Sequence, residues 1–320
     1  MRAVRAASAA AGAPMAAADR PRLRRHPWLA ILGQAVRTRR GAAGLSLACF
    51  VVAVAIIGPA VAPHPAQALL TFPFGKPSAA YPFGADFLGR DVLSRVLDGG
   101  WLLLMAVSAT VLGIAAGAAA GISAAYLRGH TDGLIMRTVD VILAFPQLVF
   151  ALLLLSILGP QLWLIVLAVG LTHAPAVARV IRAATLDIAE RDYVKAAELQ
   201  GMRPAAVMAK EILPSLSTPL MVEAGLRLTY SIIIMSGLAF LGFGQQPPAA
   251  NWGMMINENR TGLPLNPWAV IVPAAMIALL TIGTNLLTDA IGQAAIGVDR
   301  KPAEAALLDD LSLASDRVPS

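Results

Sequence analysis

The chain has 320 residues, of which 57% are hydrophobic and 14% charged, with a mean hydropathy of +0.69. A soluble domain carries roughly a quarter charged residues, so this composition excludes a water-soluble fold. The net charge of +6 and the pI near 10.0 do not indicate nucleic-acid binding, because no basic patch is interleaved with aromatics.

Residues 1–42 are rich in Ala and Arg and hold Pro14, Pro21 and Pro27. They cannot bury a core and read as a tail that is disordered or lies on a membrane surface. Arg24-Arg25 raises the possibility of a twin-arginine export signal, but the stretch before the apolar run is too long for one and more spans follow. The run at 43–62 can cross a bilayer, which takes about 20 apolar residues. It holds Cys49, the single cysteine, which can form no intramolecular disulfide and is assigned to packing. Pro65-Ala66-Gln67-Ala68 offers small residues to a signal peptidase, but a run this long fits an uncleaved anchor better. Segment 63–100 then reads as extracytoplasmic.

Further apolar runs lie at roughly 102–126, 134–158, 161–180, 219–241 and 269–289. Backbone groups inside a bilayer must bond internally, and the runs lack the alternation of barrel strands. The expected fold is therefore an all-α membrane protein with about six transmembrane helices. Gly159-Pro160 marks a tight turn between the third and fourth spans. Pro146 should kink the third span, as a hinge or as a packing device. Residues 101–292 form the core domain, with a polar loop at 181–218 and a polar tail at 293–320.

Positive charge sets the orientation. With the N-terminus inside, 20 of the 25 Lys and Arg fall on inner segments, four (Lys76, Arg90, Arg95, Arg260) on outer ones, and Arg227 within a span. Both termini and the polar loop are thus expected in the cytoplasm. In that loop, Tyr193 to Gln200 are good helix formers, Gly201 fits a left-handed helix end, Pro204 suits a first helical turn, and Pro214 should stop the second helix. Ala196, Ala197 and Gly201 leave part of the first helix bare, open to another protein's cleft.

The loop resembles the "EAA" loop of ABC-importer permeases: two alanines, three residues, a glycine, then an Ile-x-Leu-Pro ending, here Ile212-Leu213-Pro214. Lys195 replaces the leading acid, and Glu211 stands where isoleucine is usual. Tyr81 to Arg95 resembles the "PFGTDxxGRDxxSR" segment of dipeptide, oligopeptide and nickel permeases, with Ala85 for threonine. Asp140 to Pro146 is similar to their "DxxxSFP", with Ala144 for serine. Leu238 to Gly253 resembles "LSFLGLGxQPPxPxWG", where Gly242 and Gly244 allow a tight exit and Trp252 suits the outer interface. These stretches follow the family's order over most of residues 82–290, and the chain is identified as a member of that family, similar to its C-type transmembrane subunit. The resemblance implies an ABC type I importer-like transmembrane domain in a bacterial inner membrane, carrying peptides or related small solutes such as nickel chelates. It implies a homologous second permease subunit, two ATP-binding subunits and an extracytoplasmic solute-binding protein as partners. No cofactor is expected on this chain, with ATP hydrolysed by the partner subunits. Tyr193, Ala196, Ala197, Glu198, Gly201 and Pro214 would couple to the ATPases. Asp86, Gly89, Arg90, Asp91, Arg95 and Trp252 make the extracytoplasmic motif. Four residues apart, Asp91 and Arg95 would lie side by side on a solvated interfacial helix.

Ionisable groups within spans are functional candidates. Glu223 and Arg227 are spaced for an ion pair with the acid first, the favourable order, serving either insertion or the pathway. Asn285 and Asp289 repeat the spacing and are expected to bond between helices. Asp140 lies near the inner side of its span, where it would pair or snorkel. With Phe145 and Pro146, Asp140, Glu223, Arg227 and Asn285 are the pathway or gating candidates. His173, before Pro175, reads as a packed donor. No phosphate-cradling Gly-x-x-x-x-Gly-Lys-Ser/Thr, Gly-x-Ser-x-Gly or zinc pattern occurs, so no enzyme activity is expected. The alternative is an ion-gradient-driven secondary transporter, which would show inverted repeats and a midplane ionisable cluster.

Overall fold

The computed structural model describes residues 27–244 and 249–315; Arg24-Arg25, the 245–248 stretch of the outer motif and the last five residues lie outside these. Among the described residues the regular structure is helical, apart from one isolated bridge between Ala85 and Asp91.

The helices are numbered in chain order. The first, α1 (Pro27–Arg37), lies within the stretch read as a tail, and Ile31 and Ala35 bury against Ala290, Ile291 and Ala295. Among the described residues five helices are long and apolar enough to cross a membrane. They are α2 (Arg39–Val61), α4 (Trp101–Leu127, with the short α3, Val92–Asp98, just before it), α7 (Leu162–Ala189), α11 (Ser217–Phe240) and the first part of α13 (Trp268–Ser315). Thr38 starts α2 by accepting a hydrogen bond from the Gly41 N–H at 3.0 Å, satisfying one of the helix's unpaired donors.

The expected third span is not one kinked helix. It is two, α5 (Gly129–Leu143) and α6 (Gln147–Leu158), which meet at 91°. Pro146 has no N–H, and a residue before proline is pushed out of the helical region. The chain tightens first: Ala144 bonds to the Val141 carbonyl and Phe145 to the Ile142 carbonyl, three residues back. Twelve residues make α6 about 18 Å long, short of the roughly 30 Å of a hydrocarbon core, so it cannot span alone.

Glycines bring α4 and α7 together in parallel. A Cβ on Gly113 would lie 2.9 Å from the Gly170 carbonyl, on Gly117 2.6 Å from that of Ala174, and on Gly121 2.5 Å from that of Ala178. The steps of four match on both helices, so the backbones touch along a stripe. Lipid gives no hydrophobic drive for helix association, and close approach by small residues supplies packing instead. Gly44 and Gly283 do the same between α2 and α13, where a Cβ on Gly44 would lie 2.6 Å from the Leu287 nitrogen.

The polar loop folds as α8 (Asp192–Leu199), α9 (Pro204–Val207), a π turn at Met208–Ile212 and α10 (Leu213–Ser215). Pro204 occupies the first turn of α9 as expected. Pro214 does not stop the second helix: it sits inside α10, and the chain continues into α11 after Leu216. Leu213 N–H already bonds to the Met208 carbonyl, five residues back. The ladder has shifted before the proline, whose missing donor is tolerated in a first helical turn. At the far end of α11 lies a short helix, α12 (Trp252–Asn259). One apolar core fills the bundle around Leu102, Ile165, Ile232 and Leu238, and a second lies under the polar loop around Ile181, Val194, Val207 and Ile212.

Candidate functional site

The polar loop gathers the expected coupling residues at one end of the bundle. α8 closes in a glycine turn: Gly201 N–H bonds to the Glu198 carbonyl and Met202 N–H to that of Ala197, the double bond of a Schellman end. Gly201 has φ +78, and a Cβ there would meet nothing within 4 Å. Glycine is needed for its backbone, not for space.

Ala196 and Ala197 do not share a face. Ala197 is 7% exposed and packs with Val194 into the chain's own core, whereas Ala196 is exposed. Consecutive residues on a helix point about 100° apart, so one can face the body while the other faces out. The outward row is Tyr193, Ala196, Leu199 and Gln200, and Leu199 is 89% exposed. Leu199 is not among the residues expected from the sequence to couple. The signal was its place three residues after Ala196 on the face opposite Val194 and Ala197. Tyr193 Oη lies 2.9 Å from Ser215 Oγ, beside the exposed Pro214. Glu198 accepts a hydrogen bond from Tyr126 at 2.7 Å.

Just before α8, Glu190 pairs with Arg128 and, at 3.2 Å, with Lys195. Hydrogen bonds from Arg128 first and Lys195 second hold its carboxyl below the ordinary glutamate value of 4.5. Arg128 joins α4 to α5 with φ 54 and ψ −168, a conformation nearly confined to glycine, which costs on the order of 1–3 kcal/mol in another residue.

The motif of Asp86, Gly89, Arg90, Asp91, Arg95 and Trp252, expected on the extracytoplasmic side, forms a second cluster at the opposite end. It is buried, not solvated. Asp86 accepts from Arg90 Nε and from Arg95 Nη1 at 2.6 Å each. Glu258 of α12 accepts from Arg95 at 2.8 Å and from Arg90 at 3.4 Å. Asp91 and Arg95 do not pair: Asp91 caps α3 by accepting from the Leu93 and Ser94 N–H groups, the usual task of an acid at that position, which leaves Arg95 free to reach Asp86 and Glu258. Gly89 has φ +83, and a Cβ there would sit 2.0 Å from the Thr71 carbonyl. Trp252, too, is enclosed by the protein. It is fully buried and donates to the Val96 carbonyl at 2.8 Å, tying α12 to α3. Glu258, 163 residues from Arg95, carried no signal in the sequence.

The span candidates fall in separate places. Asp140 pairs with Arg179 of α7. Phe145 and Pro146 line a cavity of about 240 Å³ at the α5–α6 break, with Phe150 and Thr172. Glu223 and Arg227 form the expected ion pair at 3.0 Å, with Arg227 also over the Tyr230 ring. Asn285 and Asp289 are exposed, and the α11–α13 hydrogen bond runs from Thr229 to Thr284 at 3.1 Å instead, because the 284 side of α13 is the one turned inward. His173 meets Ser231 at 3.0 Å, and Ser231 meets Thr110 at 2.9 Å, a polar junction of α4, α7 and α11. Among the described residues no group of three or more His, Cys, Asp or Glu could hold a metal ion.

Residues 109–296 match the family described as the binding-protein-dependent transport system inner membrane component. The glutathione transport system permease protein GsiD of Pectobacterium atrosepticum is 36% identical over 219 residues, covering 68% of this chain and 73% of the relative. The di/tripeptide transport system permease protein DppC of Pseudomonas aeruginosa is 35% identical over 259 residues, 78% and 86% of the two chains. The dipeptide transport system permease protein DppC of Alkalihalophilus pseudofirmus is 30% identical over 270 residues, 84% and 89%. A family match over more than half the chain, on a bundle of apolar helices, leaves no place for the secondary-transporter alternative: the chain belongs to the binding-protein-dependent permeases, as an ABC-importer subunit crossing the bacterial inner membrane several times.

Proposed function

We propose that this permease imports short peptides or peptide-like solutes such as glutathione, with a homologous second permease subunit, two ATP-binding subunits and an extracytoplasmic solute-binding protein. The end carrying α8 faces the cytoplasm. ATP is hydrolysed by the partner subunits, and no cofactor is held by this chain. The solute class rests on the relatives' names and on the order of motifs along the chain.

The observation that carries the coupling reading is the outward row on α8. A leucine 89% exposed among charged residues is poorly placed for water and well placed to fill an apolar pocket on a partner. The Gly201 turn fixes its direction, and the buried Val194 and Ala197 fasten α8 to the body. Closure of the ATP-binding subunits would then displace α8 as a unit and bias the pathway between two states.

The test is uptake of labelled glutathione and dialanine into proteoliposomes holding the whole complex. Uptake should require ATP and the solute-binding protein and should survive collapse of ion gradients. Leu199→Asp should leave the permease in the membrane and strip the ATP-binding subunits from it. Normal co-purification and uptake by that variant would refute α8 as the docking element. Orientation is read separately: an impermeant thiol reagent should label Ala79→Cys, but not Gln200→Cys, in intact spheroplasts of a Cys49→Ala strain.

A further inference from the structure

α5 is held to the body in an unusual way. Of its 15 residues only Val139 is a buried apolar side chain, while Leu134 and Val141 are exposed. Ion pairs take the place of apolar packing. Asp132 receives both Nε and Nη2 of Arg182 at 2.6 Å each, a bidentate fork. Asp140 pairs with Arg179. Arg128, at the corner before α5, pairs with Glu190, which also holds Lys195 of α8.

The spacing of these pairs fixes a direction. From Asp132 to Asp140 is eight residues, about 12 Å along α5, while their partners Arg182 and Arg179 are three residues apart, about 4.5 Å along α7. The later acid on α5 takes the earlier arginine on α7, so the two helices run in opposite senses where these pairs join them. At one end it meets Arg128, whose backbone sits in a glycine conformation (φ 54). At the other it meets the 91° break, beside the cavity lined by Phe145 and Pro146.

We propose that α5 is a rod held by ion pairs that carries displacement of α8 to the break at Phe145-Pro146, with Asp132, Arg182, Arg128 and Glu190 as positioning residues for transport. The proposal rests on the reading of α8 as the ATPase-docking helix. Glu190 and Lys195 bind the rod's corner to α8, and the Asp132–Arg182 fork gives the rod a pivot on α7. A helix with one buried apolar residue can swing without repacking a core, and its position follows the charges that hold it. Charge pairs at the surface weaken with salt, so coupling should weaken with salt as well.

The experiment measures solute imported per ATP hydrolysed by the reconstituted complex. Asp132→Asn and Arg182→Gln should retain bound ATP-binding subunits and ATP hydrolysis, yet lower this ratio roughly fivefold or more, the lower range of a coupling between sites. The exchange Asp132→Arg with Arg182→Asp should restore much of it, and the exposed Asp187→Asn should leave it unchanged. Arg128→Gly gives a second reading that spares the fork: glycine takes the corner's backbone without strain but lacks the guanidinium, and the ratio should again fall. A wild-type ratio in Asp132→Asn or in Arg128→Gly overturns the proposal. Normal retention of ATP-binding subunits and normal uptake by Leu199→Asp would instead overturn the reading of α8.

Discussion

Removing Arg95 should be among the most damaging single changes available to this chain. Its side chain is fully buried, bonded at 2.6 Å to Asp86 and at 2.8 Å to Glu258. The cluster is balanced, with two arginines facing two carboxylates. Arg95→Met leaves Asp86 and Glu258 with Arg90 alone, which reaches Glu258 only at 3.4 Å. One buried negative charge is then uncompensated. Breaking a buried pair in this way costs about 3–5 kcal/mol, a factor of more than a hundred in the folded population. The double variant Arg95→Met with Glu258→Met leaves Asp86 and Arg90 as a neutral pair. Replacing a whole ion pair with apolar side chains is often close to neutral, so the double variant should be more stable than either single one. The assay is thermal unfolding of the detergent-purified complex, followed by size-exclusion monodispersity. A single Arg95→Met as stable as wild type, or a double variant worse than the sum of the singles, would refute the charge-balance argument.

Gly201→Val should cost on the order of 1–2 kcal/mol of local strain while all spans remain inserted, so limited proteolysis should cut the 190–214 loop faster; Gly201→Asn, a residue that tolerates the left-handed region, should be nearly silent. Ala197→Glu should damage the loop's own core rather than only its docking, because an unpaired carboxylate is expensive to bury, and the loop should become protease-sensitive. Ala196→Glu, on the outward face, should keep the loop protease-resistant and reduce co-purification of ATP-binding subunits. The pairing of Glu190 lowers its folded-state pKa, so its contribution is present above the ordinary value of 4.5 and is lost as pH falls below that through the lowered value. Protection of the amides at the start of α8, measured against their intrinsic exchange at each pH, should therefore hold down to about pH 4.5 and fall below it, and Glu190→Gln should abolish that step.

The spans were legible in the sequence because a bilayer imposes one rule on every residue within it. The apolar runs at 102–126 and 219–241 reappear as Trp101–Leu127 and Ser217–Phe240. Local rules also served: the left-handed turn at Gly201 and the Glu223–Arg227 pair depend on residues a few positions apart. What stayed hidden depends on distant partners. Arg95 turned from Asp91 to Glu258 because α12 folds back on α3, and no spacing rule reaches that far. Pro146 announced a bend, but its 91° depends on where α7 lets α5 lie. The steps of four at Gly113, Gly117 and Gly121 are a local signal of a helix contact, but which helix they meet is set by the fold.

Because α4 and α7 run in the same direction, the chain between them must return across the bilayer, and α5 and α6 alone are available for the trip. A bent pair whose arms have 15 and 12 residues is a poor substrate for a translocon, which retains segments of about 20 apolar residues. Biogenesis of this subunit should therefore have an order, with α4 entering lipid first and the short return helix held in place only once α7 closes on the glycines of α4. Mutations in that stripe should accordingly surface as topology errors in newly made chains, before any loss of stability in the mature protein can be measured.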